Sequence, residues 1–169
     1  MTMRAQKAVP VMAAEMPDRP GYPIPAPGVL LAPIVTLALI VILSLVAPVS
    51  FLPLGVSLGV GTPFLVVGVG LFGWAQASLF RGGENPAPHT STARLVTGGA
   101  FRVSRNPIYT GGTIGLFGLA VLLDTATGLG VVMLLGLLAR SVALAEERYL
   151  EAKFGDEYRE YRSRVRRWI

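Results

Sequence analysis

The sequence predicts an all-α integral membrane protein, with about four transmembrane helices in two hairpins and a cytoplasmic C-terminal helical tail. Three observations predict it. Of 169 residues, 52% are apolar and only 15% are charged, where soluble domains carry about 25% charge. No residue between Arg19 and Arg81 is charged. All 15 Lys and Arg fall in the polar segments that flank the apolar runs, and none falls in the turns proposed at their far ends. With a mean hydropathy of +0.57, the long uncharged runs need an apolar solvent, because one domain of this length has too little interior to hide them. The absence of cysteine excludes a disulfide scaffold and thiolate chemistry.

The first segment, 1–28, is rich in proline (Pro10, Pro17, Pro20, Pro23, Pro25, Pro27) and reads as a mostly extended cytoplasmic tail. No cleaved signal peptide is expected, since the first apolar run begins too far in and is too long for one. Val29 to Val49 and Leu54 to Phe80 each reach the roughly 20 residues needed to cross a bilayer core. Pro48, Ser50 and Pro53 between them predict a tight turn, because clustered prolines cannot continue a helix. Residues 29–80 therefore form the first expected hairpin.

A third region, 81–169, begins with a polar stretch, 81–112, continues in a second hairpin over 107–145 and ends in a helical tail, 146–169. Asn106 to Leu123 and Thr125 to Ala139 are uncharged, with Asp124-Thr125 as the outer turn. At about 1.5 Å per residue these runs are short for spanning, so the helix is expected to continue past Arg140. Positive charge collects on cytoplasmic loops, so the Lys and Arg distribution favours an even number of spans and cytoplasmic termini, in a bacterial-type inner membrane. The same bias accounts for a pI near 10.1 through contact with anionic headgroups. No nucleic-acid motif is present, and the oligomeric state is not indicated.

Gly68, Gly70 and Gly73 spell G-V-G-L-F-G, which matches a dinucleotide-binding pattern letter for letter. That pattern works in a strand-to-helix turn, whereas this copy lies within a span, so helix packing is the expected role. Gly111, Gly115 and Gly118 likewise read as a small-residue seam.

Chemistry is expected in the polar stretch and the last segment. Pro107 fits the first turn of a helix, which places Asn106 near the N-cap and the first free N–H groups beside Arg102 and Arg105. Such a place attracts a carboxylate or phosphate, or is simply a capped helix start among interfacial arginines. At about 100° per residue, Arg140, Glu147 and Glu151 share a face of the continuing helix, and Glu146 lies beside Leu150 and Lys153. At least one carboxylate would then face inward at the membrane surface, where ionisable groups are functional candidates. The alternative for Glu147 is a helix pair with Arg140. For the tail, an amphipathic segment is expected, with Tyr158, Tyr161, Val165 and Trp168 anchored at the headgroups.

Three segments together, Leu95 to Gly111 (L-V-T-G-G-A-F-R-V-S-R-N-P-I-Y-T-G), Glu146 to Leu150 (E-E-R-Y-L) and Phe154 to Tyr161 (F-G-D-E-Y-R-E-Y), resemble the isoprenylcysteine carboxyl methyltransferase and phospholipid methyltransferase superfamily of integral membrane methyltransferases. The resemblance covers the chain from about Asn85 onward. It implies a helical membrane enzyme that binds S-adenosylmethionine on the cytoplasmic side and methylates a lipophilic or lipid acceptor from the bilayer, either an isoprenylcysteine-type carboxylate or a phospholipid amine. The family's Arg-His-Pro-x-Tyr carries onto Arg105, Asn106, Pro107 and Tyr109, with Gly111 following; Glu-Glu-x-x-Leu carries onto Glu146, Glu147 and Leu150, which the resemblance implies hold the cofactor's ammonium group. Asn106 departs from the family's His, and an amide cannot take up a proton near neutral pH. Gly99-Ala100-Phe101 departs mildly from a Gly-Pro-Tyr common in the family.

The residues agree with that mapping. A pocket for this cofactor needs donors at a helix start, a carboxylate and an apolar or aromatic wall. Asn106 to Gly112 supply the first and Glu146 or Glu147 the second, with Leu95, Val96, Phe101, Tyr109 and Leu150 for the third. Methyl transfer is a displacement at an activated carbon, which asks for alignment and exclusion of water rather than a metal or a nucleophile. Arg140, expected to be buried near the end of the fourth span, either steers a carboxylate acceptor as the catalytic candidate or pairs with Glu147. His89, the only histidine, reads as a loop residue, and with no Cys no metal site is expected. Two other functions compete: an NADPH-dependent membrane reductase of the sterol reductase type, and a non-enzymatic membrane scaffold.

Overall fold

The computed structural model describes residues 26–46, 51–84 and 93–169; the turn at Pro48 and Ser50, His89 and most of the proline-rich tail lie outside them. Among the described residues five α-helices follow one another: α1 (Ala26–Val46), α2 (Leu54–Gly82), α3 (Pro107–Leu122), α4 (Ala126–Phe154) and α5 (Asp156–Arg164), with a short 3-10 turn at Gly99–Arg102 before α3. Among the described residues there is no strand. The helix starts and stops follow local chemistry. Proline occupies the start of α3, where its missing N–H costs nothing. Thr125 caps α4 by accepting the Gly128 N–H at 3.1 Å. Gly83 ends α2 in the left-handed conformation, φ 77°, and returns its N–H to the Phe80 carbonyl.

Leu54–Gly82 and Ala126–Phe154 are each long and apolar enough to cross a membrane, and only 17% and 33% of their most apolar windows are buried within the protein. That exposure separates them from the core helices of a soluble domain. Leu45, Val46 and Leu54 are each more than 70% exposed, an apolar exterior that water would not tolerate over such an area.

The helices pair differently from a simple sequence of hairpins. α2 packs most extensively on α3, while α1 lies against α4, touches α3 and does not run alongside α2 as its main partner. The α2–α3 contact is made of glycines. A Cβ on Gly111 would come within 2.6 Å of the Phe72 backbone nitrogen, one on Gly61 within 2.6 Å of Leu122, and Gly68 and Gly118 lie directly against the Gly115 and Leu65 backbones. The seam expected at Gly111, Gly115 and Gly118 is therefore present, with Gly68 opposite it. Gly70 and Gly73 take no part, since a Cβ on either would meet nothing within 4 Å. A second contact joins α1, α3 and α4 through Ile40, Ala120 and Val132.

The two ends of the bundle differ in chemistry. At one end Asp124, held at φ 48°, accepts the backbone N–H groups of Phe51 at 2.9 Å and Leu52 at 3.2 Å. This carboxylate ties the turn after α3 to the start of α2. Arg105, Glu146, Glu147 and Arg167 gather away from it, where α3 begins and where α4 continues into α5.

Candidate functional site

The route from α2 to α3 is fixed by buried polar anchors. Glu84, 8% exposed, accepts the N–H groups of Ala93 at 3.1 Å and of Arg94. Ser78 on α2 donates to the Trp74 carbonyl at 2.7 Å and accepts the Ala100 N–H at 3.1 Å. Gly99 passes at φ 59°, and a Cβ there would collide with Ser78 Oγ, so only glycine fits. Val96 packs against Gly82 at the end of α2. Leu95, Val96 and Leu150 are half-buried.

This loop delivers Arg105 and Asn106 to α4. Glu147, 6% exposed, is the centre of the cluster. Its Oε1 accepts Asn106 Nδ2 at 3.2 Å and Arg167 Nε at 2.9 Å; its Oε2 accepts Arg167 Nη2 at 2.9 Å. Arg105 Nη2 approaches Oε1 at 3.5 Å. Two guanidinium groups therefore face one buried carboxylate, and the acceptor sites of that carboxylate are nearly filled. Arg105 is left with Nε and Nη1 buried and without hydrogen-bond partners. An orphaned buried donor costs about 1–3 kcal/mol, and more when charged, so such a group marks a place where an acceptor is wanted.

Glu146, one residue earlier on α4, points about 100° away from Glu147. It accepts the Tyr109 hydroxyl at 2.9 Å, which joins the first turn of α3 to α4. Thus Arg105, Asn106 and Glu147 are brought into one network and Tyr109 and Glu146 into a second contact next to it. Pro107 is fully buried at the start of α3. Gly111 faces α2 and belongs to the seam.

Two expectations are corrected. Arg140 is exposed rather than buried, and Glu147 takes its ion-pair partners from Arg105 and Arg167. Arg140 stands about 10 Å back along α4 by helical rise, whereas the loop and the tail both end at Glu147. The tail is also no plain headgroup anchor. Tyr158 is 1% and Tyr161 4% exposed, their rings meeting edge-on at 6.1 Å, and the Tyr161 hydroxyl donates to the Phe101 carbonyl at 2.7 Å. Burial first, then the Glu147 carboxylate, pushes the Tyr158 phenol up to about 12 against the opposing pull of Arg105; burial also raises Tyr161.

The fold-back rests on Gly155, φ 54°, which separates α4 from α5 and turns the chain toward the loop. Beyond α5 the backbone docks onto that loop. The Arg105 N–H donates to the Arg166 carbonyl at 2.9 Å, and the Arg167 carbonyl accepts Ser104 Oγ at 2.9 Å and Asn106 Nδ2 at 3.4 Å. Ser104 and Arg167 were not anticipated. Ser104, two residues before Asn106, also accepts the Asn106 N–H at 3.1 Å, a local pattern that V-S-R-N does advertise; nothing singles out Arg167 within R-V-R-R-W.

The family model described as phospholipid methyltransferase matches residues 56–157, more than half of the chain and a span that includes nearly all of α2, the loop, α3 and the glutamate pair. The chain belongs to the phospholipid methyltransferase family. An uncharacterized protein of Haemophilus influenzae is 49% identical over 41 residues, which are 24% of this chain and 65% of that relative. No solved structure matches the chain. The chain spans 65% of that relative's length, and α2 and α4 of this phospholipid methyltransferase family chain are long and apolar enough to cross a membrane.

Proposed function

We propose that this chain is an integral membrane methyltransferase that takes its methyl group from S-adenosylmethionine at the Arg105–Glu147 cluster and passes it to a lipophilic acceptor. The observation that carries the reading is Arg105, whose buried Nε and Nη1 lack a partner beside the start of α3, where unpaired helix N–H groups also favour an anion. These residues fit the cofactor's amino-acid end. Arg105 would take its carboxylate, and Glu146, oriented by Tyr109, would take its ammonium. Glu147 is assigned to holding Arg105 and Asn106 in place, because Arg167 and Asn106 already fill its oxygens. Leu95, Val96 and Leu150 remain candidates for the apolar wall. When bound, the cofactor supplies a methyl group already activated on a sulfonium, so the protein's work is alignment and exclusion of water.

Asn106 stands where the family has His. Here its amide donates to Glu147 and to the Arg167 carbonyl, which makes it a positioning group; it takes no proton near neutral pH. An acceptor that needs no base, such as an isoprenylcysteine-type carboxylate, or an amine that reaches the site already neutral, as from a phospholipid headgroup, suits this arrangement.

The proposed topology is four spans with the cluster on the cytoplasmic side. It is supported by Asp124, which ties the start of α2 to the α3–α4 turn, and by the absence of Lys and Arg from both expected outer turns. The test is transfer of label. Membranes containing this chain, incubated with methyl-labelled S-adenosylmethionine, are expected to yield a labelled lipid-soluble product that Tyr109→Ala membranes lack; label absent from both, with the protein folded and inserted, would remove the reading.

A further inference from the structure

We infer that Arg167 is a positioning residue for the anion site at Arg105: by forking onto Glu147 it keeps Arg105 from being consumed by that carboxylate. The inference rests on the cofactor reading above. Arg105 and Arg167 compete for one acceptor. Arg167 holds both oxygens at 2.9 Å, and Arg105 is limited to one approach at 3.5 Å. A fork onto a carboxylate is the stronger arrangement for a guanidinium, so Glu147 is the group that Arg105 would turn to if Arg167 were withdrawn. The Arg105 side chain is only 8% exposed, and its Nε and Nη1 lack partners, so solvent does not offer an easy substitute. The competition thus leaves one guanidinium satisfied and the other with two donors available.

The backbone reinforces the division. The segment that carries Arg167 also accepts the Arg105 N–H through the Arg166 carbonyl, and its Arg167 carbonyl receives Ser104 and Asn106. One short stretch therefore fixes the loop on which Arg105 stands and occupies the carboxylate that Arg105 would otherwise take. Around Glu147 two cations face one anion, and a ligand carboxylate at Arg105 would balance the second. The side chain of Arg167 is 28% exposed, so it is the more replaceable of the two arginines.

The test compares two ligands that differ at the amino-acid end. S-adenosylhomocysteine carries the carboxylate and ammonium; 5′-methylthioadenosine keeps the adenosine and thioether and lacks both. Their affinities are measured by calorimetry on the detergent-purified full chain and on Arg167→Ala and Arg167→Lys. Arg167→Ala is expected to weaken S-adenosylhomocysteine about tenfold, a change of ~1.4 kcal/mol, while methylthioadenosine shifts less than about threefold. Arg167→Lys is expected to lose affinity in the same selective way, because one ammonium cannot cover both carboxylate oxygens, and it carries the comparison should the alanine variant fail to fold. Equal loss for both ligands, or no loss for either, overturns the positioning role while the cofactor reading stands. A native protein that does not bind S-adenosylhomocysteine overturns the cofactor reading and this inference with it.

Discussion

Arg167 Nε and Nη2 each lie 2.9 Å from a different oxygen of Glu147, joining the segment after α5 to the last two turns of α4. The carboxylate is 6% exposed and serves Arg105 and Asn106 as well, so it behaves as the keystone of this end of the bundle. Breaking a buried ion pair by removing one partner costs more than the pair itself contributes, because the remaining charge stays desolvated. Glu147→Gln is expected to lower unfolding stability by roughly 3 kcal/mol, measured by chemical denaturation in detergent micelles, with Glu157→Gln, at an exposed position, as the control that changes little.

Much of this end was legible in the sequence. Pro107 starts α3, the Glu146-Glu147 pair lies on the continuation of α4, and Asn106 lies near both, all because proline and helix periodicity leave direct marks. Arg167 left none. It reaches Glu147 only because Gly155 takes φ 54° and reverses the chain, and helical periodicity cannot follow a chain through a reversal. The same limit applies to Tyr158 and Tyr161, whose spacing suits a headgroup anchor as well as the buried contact they make. The pairing of α1 with α4 was equally hidden, since apolar helices in lipid carry no polar face to point at their neighbours. The glycine seam was visible on α3 but only partly on α2, where Gly70 and Gly73 face open space.

Tyr109 and Glu146 give a prediction about binding alone. Tyr109→Phe removes the hydroxyl that Glu146 accepts at 2.9 Å and keeps the ring. Affinity for S-adenosylhomocysteine is expected to fall about tenfold, or ~1.4 kcal/mol, with helical content by circular dichroism unchanged; an unaltered affinity would remove this pair from the site.

The seam predicts a contrast between glycines in one motif. Gly68→Ala drives a methyl group into the backbone at Gly115, and overpacking of this kind costs typically 1–3 kcal/mol. Gly70→Ala meets nothing and is expected to be neutral within about 0.5 kcal/mol. Paired melting curves of the two variants in the same detergent read the difference.

Alkaline pH should unlock the tail. The Tyr158 phenol is raised from its ordinary 10.0 to about 12, so above pH 10 the unfolded chain loses a proton that the folded chain keeps. The folded state then binds more protons, and stability falls as pH rises through that window. Unfolding midpoints between pH 10 and about 12 are expected to decline steeply for the native chain and less steeply for the Tyr158→Phe, Tyr161→Phe double variant.

Arg105 and the neighbouring glutamates are proposed as a site for S-adenosylmethionine. Calorimetric titration of the purified chain with S-adenosylhomocysteine, and separately with NADPH, tests it most directly, using Arg105→Gln beside the native protein. Saturable binding of S-adenosylhomocysteine, weakened at least about tenfold by Arg105→Gln, and no binding of NADPH are expected. Binding of NADPH in place of S-adenosylhomocysteine, or an Arg105→Gln variant that binds S-adenosylhomocysteine as tightly as the native chain, would contradict it.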